Sequence, residues 1–262
     1  MIPKIIHWCW LSGEDLPPFV SDCIATWKEV LPGYELRCWT TKDFNISSVP
    51  FVEEAYNKRK WASASDYIRL YALYNYGGIY LDSDVRVIKS FDGLLQEEFF
   101  SAVEIHEKYF EKYSLSDYID SEGALLDDST LNVPGIGIQA AIMGAAKGNL
   151  PVKEMMKYYE THHFTEDYYN GMLSAPVIAA RALYSFGFRY KDQTQRFANG
   201  VIFNKGVFPY PKDICPETVA VHCGMGSWVF NKSLKHQISY YMKTHRWAYA
   251  IYKELKFKFR KA

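Results

Sequence analysis

Two aspartates one residue apart, Asp82 and Asp84 in the stretch YNYGGIYLDSDV, are the residues whose type and spacing bear most directly on chemistry. Side chains two positions apart on a strand share a face, and two carboxylates so placed repel each other and gain nothing from burial. A positive partner is expected between or beside them. A hard cation such as Mg²⁺ or Mn²⁺ prefers carboxylate oxygens, and a pair at the exit of a strand can hold one while leaving positions open for substrate phosphates. A turn with two solvated aspartates is the plainer reading of an isolated D-x-D. Its setting decides, because ligands of α/β sheets bind outside the carboxyl ends of strands, where this pair is expected.

Asp66 and Arg69 form a second constellation. They are three residues apart on a predicted helix and so share a face. A structural ion pair is one reading. Because buried charges need partners, a guanidinium near a bound diphosphate with a carboxylate near sugar hydroxyls is the other. His222 in VHCGMGSW ends a predicted strand, ahead of Ser227 and Trp228 in a glycine-spaced loop able to close over a ligand. It is either a satisfied core histidine or a third metal ligand. Gln139 in GIGIQAA is a candidate for the group beneath an anomeric carbon, set against an ordinary polar residue beside a core strand.

The elements that must position these residues follow from periodicity. KIIHWCW is a short apolar run bounded by Pro3 and LSGEDLPP, a buried strand feeding a loop. Phe19, Cys23, Trp27 and Val30 have helical spacing, ended by Pro32 and Gly33, and YELRCWT alternates like a second strand. From Trp61 to Tyr76 two apolar stripes predict a buried helix, stopped by Gly77 and Gly78, after which IYL begins a strand and VRVI continues extended structure. This order is that of an α/β sheet in a single domain over residues 1–236. Residues 104–131 lack periodicity and read as an excursion or lid. GIGIQAAIMGA resumes the core, helical patterns follow near 150–162 and 174–186, and TVAVHCGMGSW reads as a last strand.

Composition bounds the partners. With 48% hydrophobic and 17% aromatic residues among 262, disorder is excluded, and the aromatic share suits flat ligands such as sugars and bases. Zero formal net charge argues against general nucleic-acid binding. The charge is nevertheless uneven: residues 104–131 hold eight acidic against two basic side chains, and 240–262 hold one against seven. In the segment 237–262, Tyr241, His245, Ala248, Tyr252, Leu255 and Phe259 share one helical face, and Lys243, Arg246, Lys253, Lys256 and Arg260 the other. Such a helix suits either an anionic membrane surface or packing on the domain. Five dispersed cysteines without C-x-x-C spacing indicate neither zinc nor a disulfide framework and fit a reducing cytoplasm. The opening MIPKIIHWCW reads as a strand, not a signal peptide, and no segment has the apolar length of a membrane span.

Taken together, IPKIIHWCW, ASDYIRLYALYNYGGIYLDSDV and VHCGMGSW resemble the sugar-binding, DXD-containing glycosyltransferases of family 32, the group that includes bacterial capsular-polysaccharide transferases and the yeast initiating mannosyltransferase. The resemblance implies a GT-A fold, a mixed sheet flanked by helices, and a nucleotide-sugar donor. It also implies Mn²⁺ or Mg²⁺ as cofactor and transfer with retention, of hexosyltransferase type. It makes Asp82 and Asp84 the DXD pair, with Asp84 the firmer metal ligand and Asp82 nearer the ribose and donor sugar, and His222 the third ligand. Asp66, Arg69, Ser227, Trp228, His7 and Trp8 would face the donor. The acceptor would be a glycan or lipid-linked saccharide, in bacterial surface-polysaccharide synthesis, at the inner face of the cytoplasmic membrane. The family often has an aromatic after the late histidine, where this chain has Cys223 and Gly224. A non-catalytic nucleotide-sugar or carbohydrate-binding module on the same fold is the alternative. A glycoside hydrolase is disfavoured, because carboxylates two residues apart are poorly placed to flank one bond.

Overall fold

A computed structural model describes residues 1–169, 173–224 and Met242. In chain order the elements are β1 (Ile5–Cys9), α1 (Pro18–Val30), β2 (Glu35–Trp39), α2 (Pro50–Asn57), α3 (Trp61–Tyr76), β3 (Gly78–Leu81), β4 (Val85–Val87), β5 (Phe99–Ile105), β6 (Ile136–Ile138) and β7 (Ile142–Ala145). They continue as α4 (Leu150–Thr161), α5 (Glu166–Tyr169), α6 (Ala175–Tyr184), β8 (Gln195–Phe197), β9 (Gly200–Phe203) and β10 (Ala220–His222).

The helices start and stop for local reasons. Proline opens α1, α2, α4 and α6 within the first two helical positions, where its missing N–H costs nothing. Asn149 caps α4 by accepting from the Val152 N–H. Helix α3 ends at Gly77, whose φ of 68° few other residues adopt readily. Of its sixteen residues, nine are buried.

Seven strands run in the order β2-β1-β3-β7-β5-β9-β8, with β6 paired to the end of β5. Strands β2, β1 and β3 are parallel, β7 lies antiparallel between β3 and β5, and β9 is parallel to β5. Strands β1, β3, β5 and β9 therefore point the same way and end at one edge. One core cluster gathers α2, α3, α4 and α6 on one face of the sheet, around residues such as Phe51, Ile68, Tyr80 and Tyr159. The other packs α1 through Phe19, Cys23 and Trp27 against Ile6, Leu81 and Phe100. The α/β class, with a mixed sheet flanked by helices, is the one expected.

The structure adds detail to several expectations. VRVI is extended as expected, in β4, which pairs antiparallel with β10 in a two-stranded ribbon separate from the main sheet, with His222 opposite Val85. Helix α2 carried no clear periodic signal in eight residues. The 104–131 stretch begins inside β5 and then makes short turns at Glu107–Tyr109 and Leu115–Asp117, with Ile119 buried. None of the five cysteines is in a disulfide. Among the described residues no helix is long and apolar enough to cross a membrane.

Candidate active site

Asp82 and Asp84 do not stand on a strand face. Strand β3 ends at Leu81, the Asp82 N–H donates to the Ala141 carbonyl at 2.9 Å, and the Val85 N–H donates back to the Asp82 carbonyl at 3.0 Å. The chain thus turns tightly between β3 and β4, and the turn brings the carboxylates together. The ribbon brings in His222, and the Cys223 N–H donates to the Asp84 carbonyl at 3.1 Å. Trp27 on α1 anchors the arrangement from behind by donating from Nε1 to the Val85 carbonyl at 2.8 Å. As a result Asp82, Asp84 and His222 each present a ligand atom within 4.8 Å of the others, at the edge where the parallel strands end.

The fit of this trio to a divalent ion rests on its geometry and on the chemistry of its donor atoms. His222 Nε2 is 3.5 Å from Asp84 Oδ1, long for a hydrogen bond but short enough for two atoms to share one ion. The other ring nitrogen, Nδ1, is buried with no hydrogen-bond partner among the described residues. Two carboxylates with one imidazole are a donor set suited to Mn²⁺, since oxygen donors favour hard cations. The residues fit the group.

Arg69 supplies the positive partner the sequence called for. Its Nη2 lies 2.7 Å from Asp66 Oδ1 and 3.4 Å from Asp82 Oδ1, its Nη1 donates to the Ala140 carbonyl at 2.6 Å, and its guanidinium sits 4.7 Å above the Tyr80 ring. With 5% of its side chain exposed, it ties α3 to the β3–β4 turn and to the segment before β7. Asp66 also accepts from the Tyr168 hydroxyl at 2.6 Å. Burial pushes the Asp66 carboxyl up to about 6, against the opposing pull of Arg69.

Three sequence candidates fall elsewhere. His7 is fully buried: its Nε2–H donates to the Gly77 carbonyl at 2.8 Å and its Nδ1 accepts from Trp39 Nε1 at 3.1 Å. Both nitrogens are used by the protein, so it joins β1, β2 and the end of α3 and has nothing to offer a nucleotide. Trp8 faces the other side of β1, packed edge-on to Trp27 at 6.0 Å in the α1 core. Gln139 is 1% exposed, with its amide accepting from the Ala141 N–H at 3.1 Å and donating to the Phe208 carbonyl at 3.5 Å, which makes it a brace of the β6–β7 connection rather than a group presented to substrate. Ser227, Trp228 and the segment 237–262 lie outside the described residues.

The structure adds a cluster that sequence reading did not find. Glu104, with 5% of its side chain exposed near the end of β5, receives His106 Nε2 at 2.6 Å and the Tyr210 hydroxyl at 3.1 Å on the same carboxylate oxygen. The Tyr210 ring lies 5.2 Å from the His222 ring. An acidic residue ending FFSAVE was the only local signal. Beyond this cluster, a groove of about 760 Å³ runs under the 104–131 excursion, lined by Ile105, Phe110, Ile119, Ile136, Tyr190 and Lys205 among others.

Fold and site together define an α/β protein with two carboxylates and an imidazole gathered at the carboxyl edge of its sheet, in an arrangement that could hold a cation. Residues 17–101, from the start of α1 into β5, match the family described as "Glycosyltransferase sugar-binding region containing DXD motif". That segment holds Asp66, Arg69, Asp82 and Asp84, and the family it matches is the one the sequence resemblance implied. Over 101 residues it is 35% identical to inositol phosphoceramide mannosyltransferase 3 of Schizosaccharomyces pombe, covering 36% of this chain and 27% of that protein. Inositol phosphoceramide mannosyltransferase 2 of the same organism is 30% identical over 99 residues, 36% of this chain and 28% of the relative. The chain therefore matches little more than a quarter of the length of either. Among solved structures, the PaToxG glycosyltransferase aligns with a TM-score of 0.46 at 17% identity, over 70% of this chain and 69% of that one. The galactosyltransferase LgtC aligns with a TM-score of 0.44 at 13% identity, over 84% and 87%.

Proposed function

We propose that this chain is a metal-dependent glycosyltransferase that moves a sugar from a nucleotide-sugar donor to a glycan or lipid-linked saccharide, with retention of anomeric configuration and of hexosyltransferase type. The observation that carries the reading is the convergence of Asp82, Asp84 and His222 beside the Asp66–Arg69 pair. Asp84 and His222 would be the firmer ligands of Mn²⁺ or Mg²⁺, because Asp82 also answers to Arg69. When bound, the ion supplies charge stabilisation for the leaving diphosphate.

The chain's own residues account for the rest. Arg69 holds Asp66 and Asp82 in place, and Asp66, with 12% of its side chain exposed, would receive donor hydroxyls. In transfer with retention the anomeric carbon loses its bond to the phosphate oxygen and gains one to the acceptor oxygen on the same face. The acceptor proton goes to the departing phosphate, so no enzymic nucleophile is needed. Ser227 and Trp228 would close the donor site. The groove beneath the excursion would receive the acceptor, and residues 237–262 would dock on an anionic inner membrane face as an appendage to a single domain over 1–236. The names of the two yeast relatives support a mannose donor and a lipid-borne acceptor. A role in surface-polysaccharide assembly follows from the resemblance alone.

The test is transfer by the full chain with Mn²⁺ and a panel of UDP- and GDP-sugars, with lipid-borne and soluble acceptors, and the product's anomeric configuration read by NMR. A retained product with one donor supports the reading. An inverted product, or no release of nucleotide from any donor, contradicts it.

A further inference from the structure

Metal-ligating histidines are ordinarily aimed by a hydrogen bond from the second ring nitrogen to a carboxylate, a carbonyl or water. His222 has no such bond within the described part of the chain: its Nδ1 is buried and unpartnered there. Among the described residues, something else must set the angle of the ring. Its backbone is fixed on two sides, by pairing with Val85 and by its own N–H donating to the Pro209 carbonyl at 3.1 Å. Neither contact restrains rotation of the imidazole about its side-chain bonds.

Tyr210 is placed to do so. It follows Pro209, its ring lies 5.2 Å from the imidazole with 33° between the planes, and a Cβ built on Gly224 would come within 3.4 Å of it. The ring is itself pinned at its far end, because the hydroxyl donates to Glu104, and Glu104 is held by His106, whose ring lies 5.7 Å from that of Tyr210. Glu104 belongs to β5, a strand of the main sheet, whereas His222 belongs to the separate ribbon. The contact thus refers a ligand on the smaller sheet to a fixed point on the larger one.

We infer that Tyr210, anchored by Glu104, is the positioning residue that orients His222 for metal, its ring packing taking the place of a hydrogen bond to Nδ1. The inference rests on the reading of Asp82, Asp84 and His222 as the metal site. It assigns Tyr210 no contact with metal or donor, so its whole effect must pass through His222, and it follows that the two residues are coupled in metal affinity.

The experiment measures Mn²⁺ affinity of the full chain by the electron paramagnetic resonance of free Mn²⁺, without donor or turnover. Tyr210→Leu should weaken binding about 10-fold or more, the range seen when support of a ligand is lost. In a His222→Ala background the same substitution should change affinity by less than about twofold, because the residue it acts through is gone. Tyr210→Phe keeps the ring and removes only the anchor. It should show a smaller loss with the same dependence on His222, and it serves if the leucine variant does not fold. An unchanged affinity in both variants, or an equal loss with and without His222, overturns the inference while leaving the metal site standing. Failure of the unsubstituted chain to bind Mn²⁺ overturns the metal reading and this inference together.

Discussion

Arg69 directs its terminal nitrogens at the protein itself, to Asp66, Asp82 and the Ala140 carbonyl, and this sets what a substitution there would cost. A lysine keeps the charge but offers a single nitrogen, which cannot meet three acceptors in a plane. Arg69→Lys is therefore expected to lower stability in urea unfolding and to weaken Mn²⁺ binding, because the Asp82 carboxylate loses its brace. Arg69→Met, which leaves the mostly buried Asp66 carboxylate and the partly exposed Asp82 carboxylate without a cation, should cost about 3 kcal/mol. Equal stability of the lysine variant and the parent would show that the fork geometry is not used.

His7 gives a pH test at the same scale. Burial lowers its pKa from 6.5 to about 4, with the Arg37 charge pulling the same way and the bond to Gly77 the other, and a second proton on Nδ1 would face the Trp39 N–H. A lowered folded value means that its stabilising share is complete above pH 6.5 and lost as pH falls toward 4, a loss of about 3 kcal/mol for a shift of this size. Asp66 runs the other way. Raised from 3.8 to about 6, it contributes fully below pH 3.8, and that share is lost as pH rises through 6. The two partly cancel between pH 4 and 6 in the parent protein. Asp66→Asn should remove the counterweight and expose a steeper acid loss in denaturant titrations from pH 7 to 4. His7→Gln, added to it, should flatten that loss. A slope unaffected by His7 would contradict the assignment.

At the scale of elements, the junction of α3 and β3 delivers the acidic turn. Gly78 has φ of 113°, and a Cβ there would lie 2.7 Å from the Ile5 carbonyl oxygen and 3.0 Å from His7 Nε2. Gly78→Ala is expected to destabilise the protein by more than about 1 kcal/mol, since the backbone conformation and the space both refuse the methyl group. It should also lower Mn²⁺ affinity by displacing Asp82. A variant as stable as the parent would mean that the strand tolerates a shift away from β1.

This junction was legible in the sequence because both of its signals are local: the double stripe from Trp61 to Tyr76 and the two glycines that end it. The Asp82–Arg69 contact was legible only in part, since spacing pairs Arg69 with Asp66 but says nothing of a turn that folds Asp82 back. The ribbon of β4 and β10 was not legible. Its partners lie far apart in the chain, three residues each, and nothing in VRV selects VAVH over any other short apolar run. The same holds for Tyr210, which meets His222 only through that ribbon. The opposite placements of His7 and Trp8 follow from strand alternation, which turns one toward Trp39 and the other toward Trp27.

At the scale of the molecule, the charge is neutral overall but concentrated, acidic in the excursion and basic toward residue 262. If residues 237–262 act as a membrane appendage, truncation after residue 236 should leave donor binding intact. Transfer to a lipid-borne acceptor and binding to anionic vesicles should fall, each basic residue contributing about 1 kcal/mol near an anionic leaflet. Added salt should reproduce the loss, because the attraction is screened over roughly 8 Å at physiological ionic strength. Vesicle binding that is absent at low salt, or unfolding on truncation, would refute the membrane role.

The central claim is that Asp82, Asp84 and His222 hold a divalent ion through which a nucleotide sugar is bound. The most direct measurement is thermal stabilisation of the full chain by UDP- and GDP-sugars, with Mn²⁺ and with the ion removed by chelator, for the parent and for Asp84→Asn. One donor at a hundred times its dissociation constant should stabilise the parent by about 2.7 kcal/mol when Mn²⁺ is present. Without the ion, and in Asp84→Asn, the gain should largely disappear while the unliganded protein unfolds as before. Equal stabilisation in chelator, or an undiminished gain in Asp84→Asn, would contradict the account.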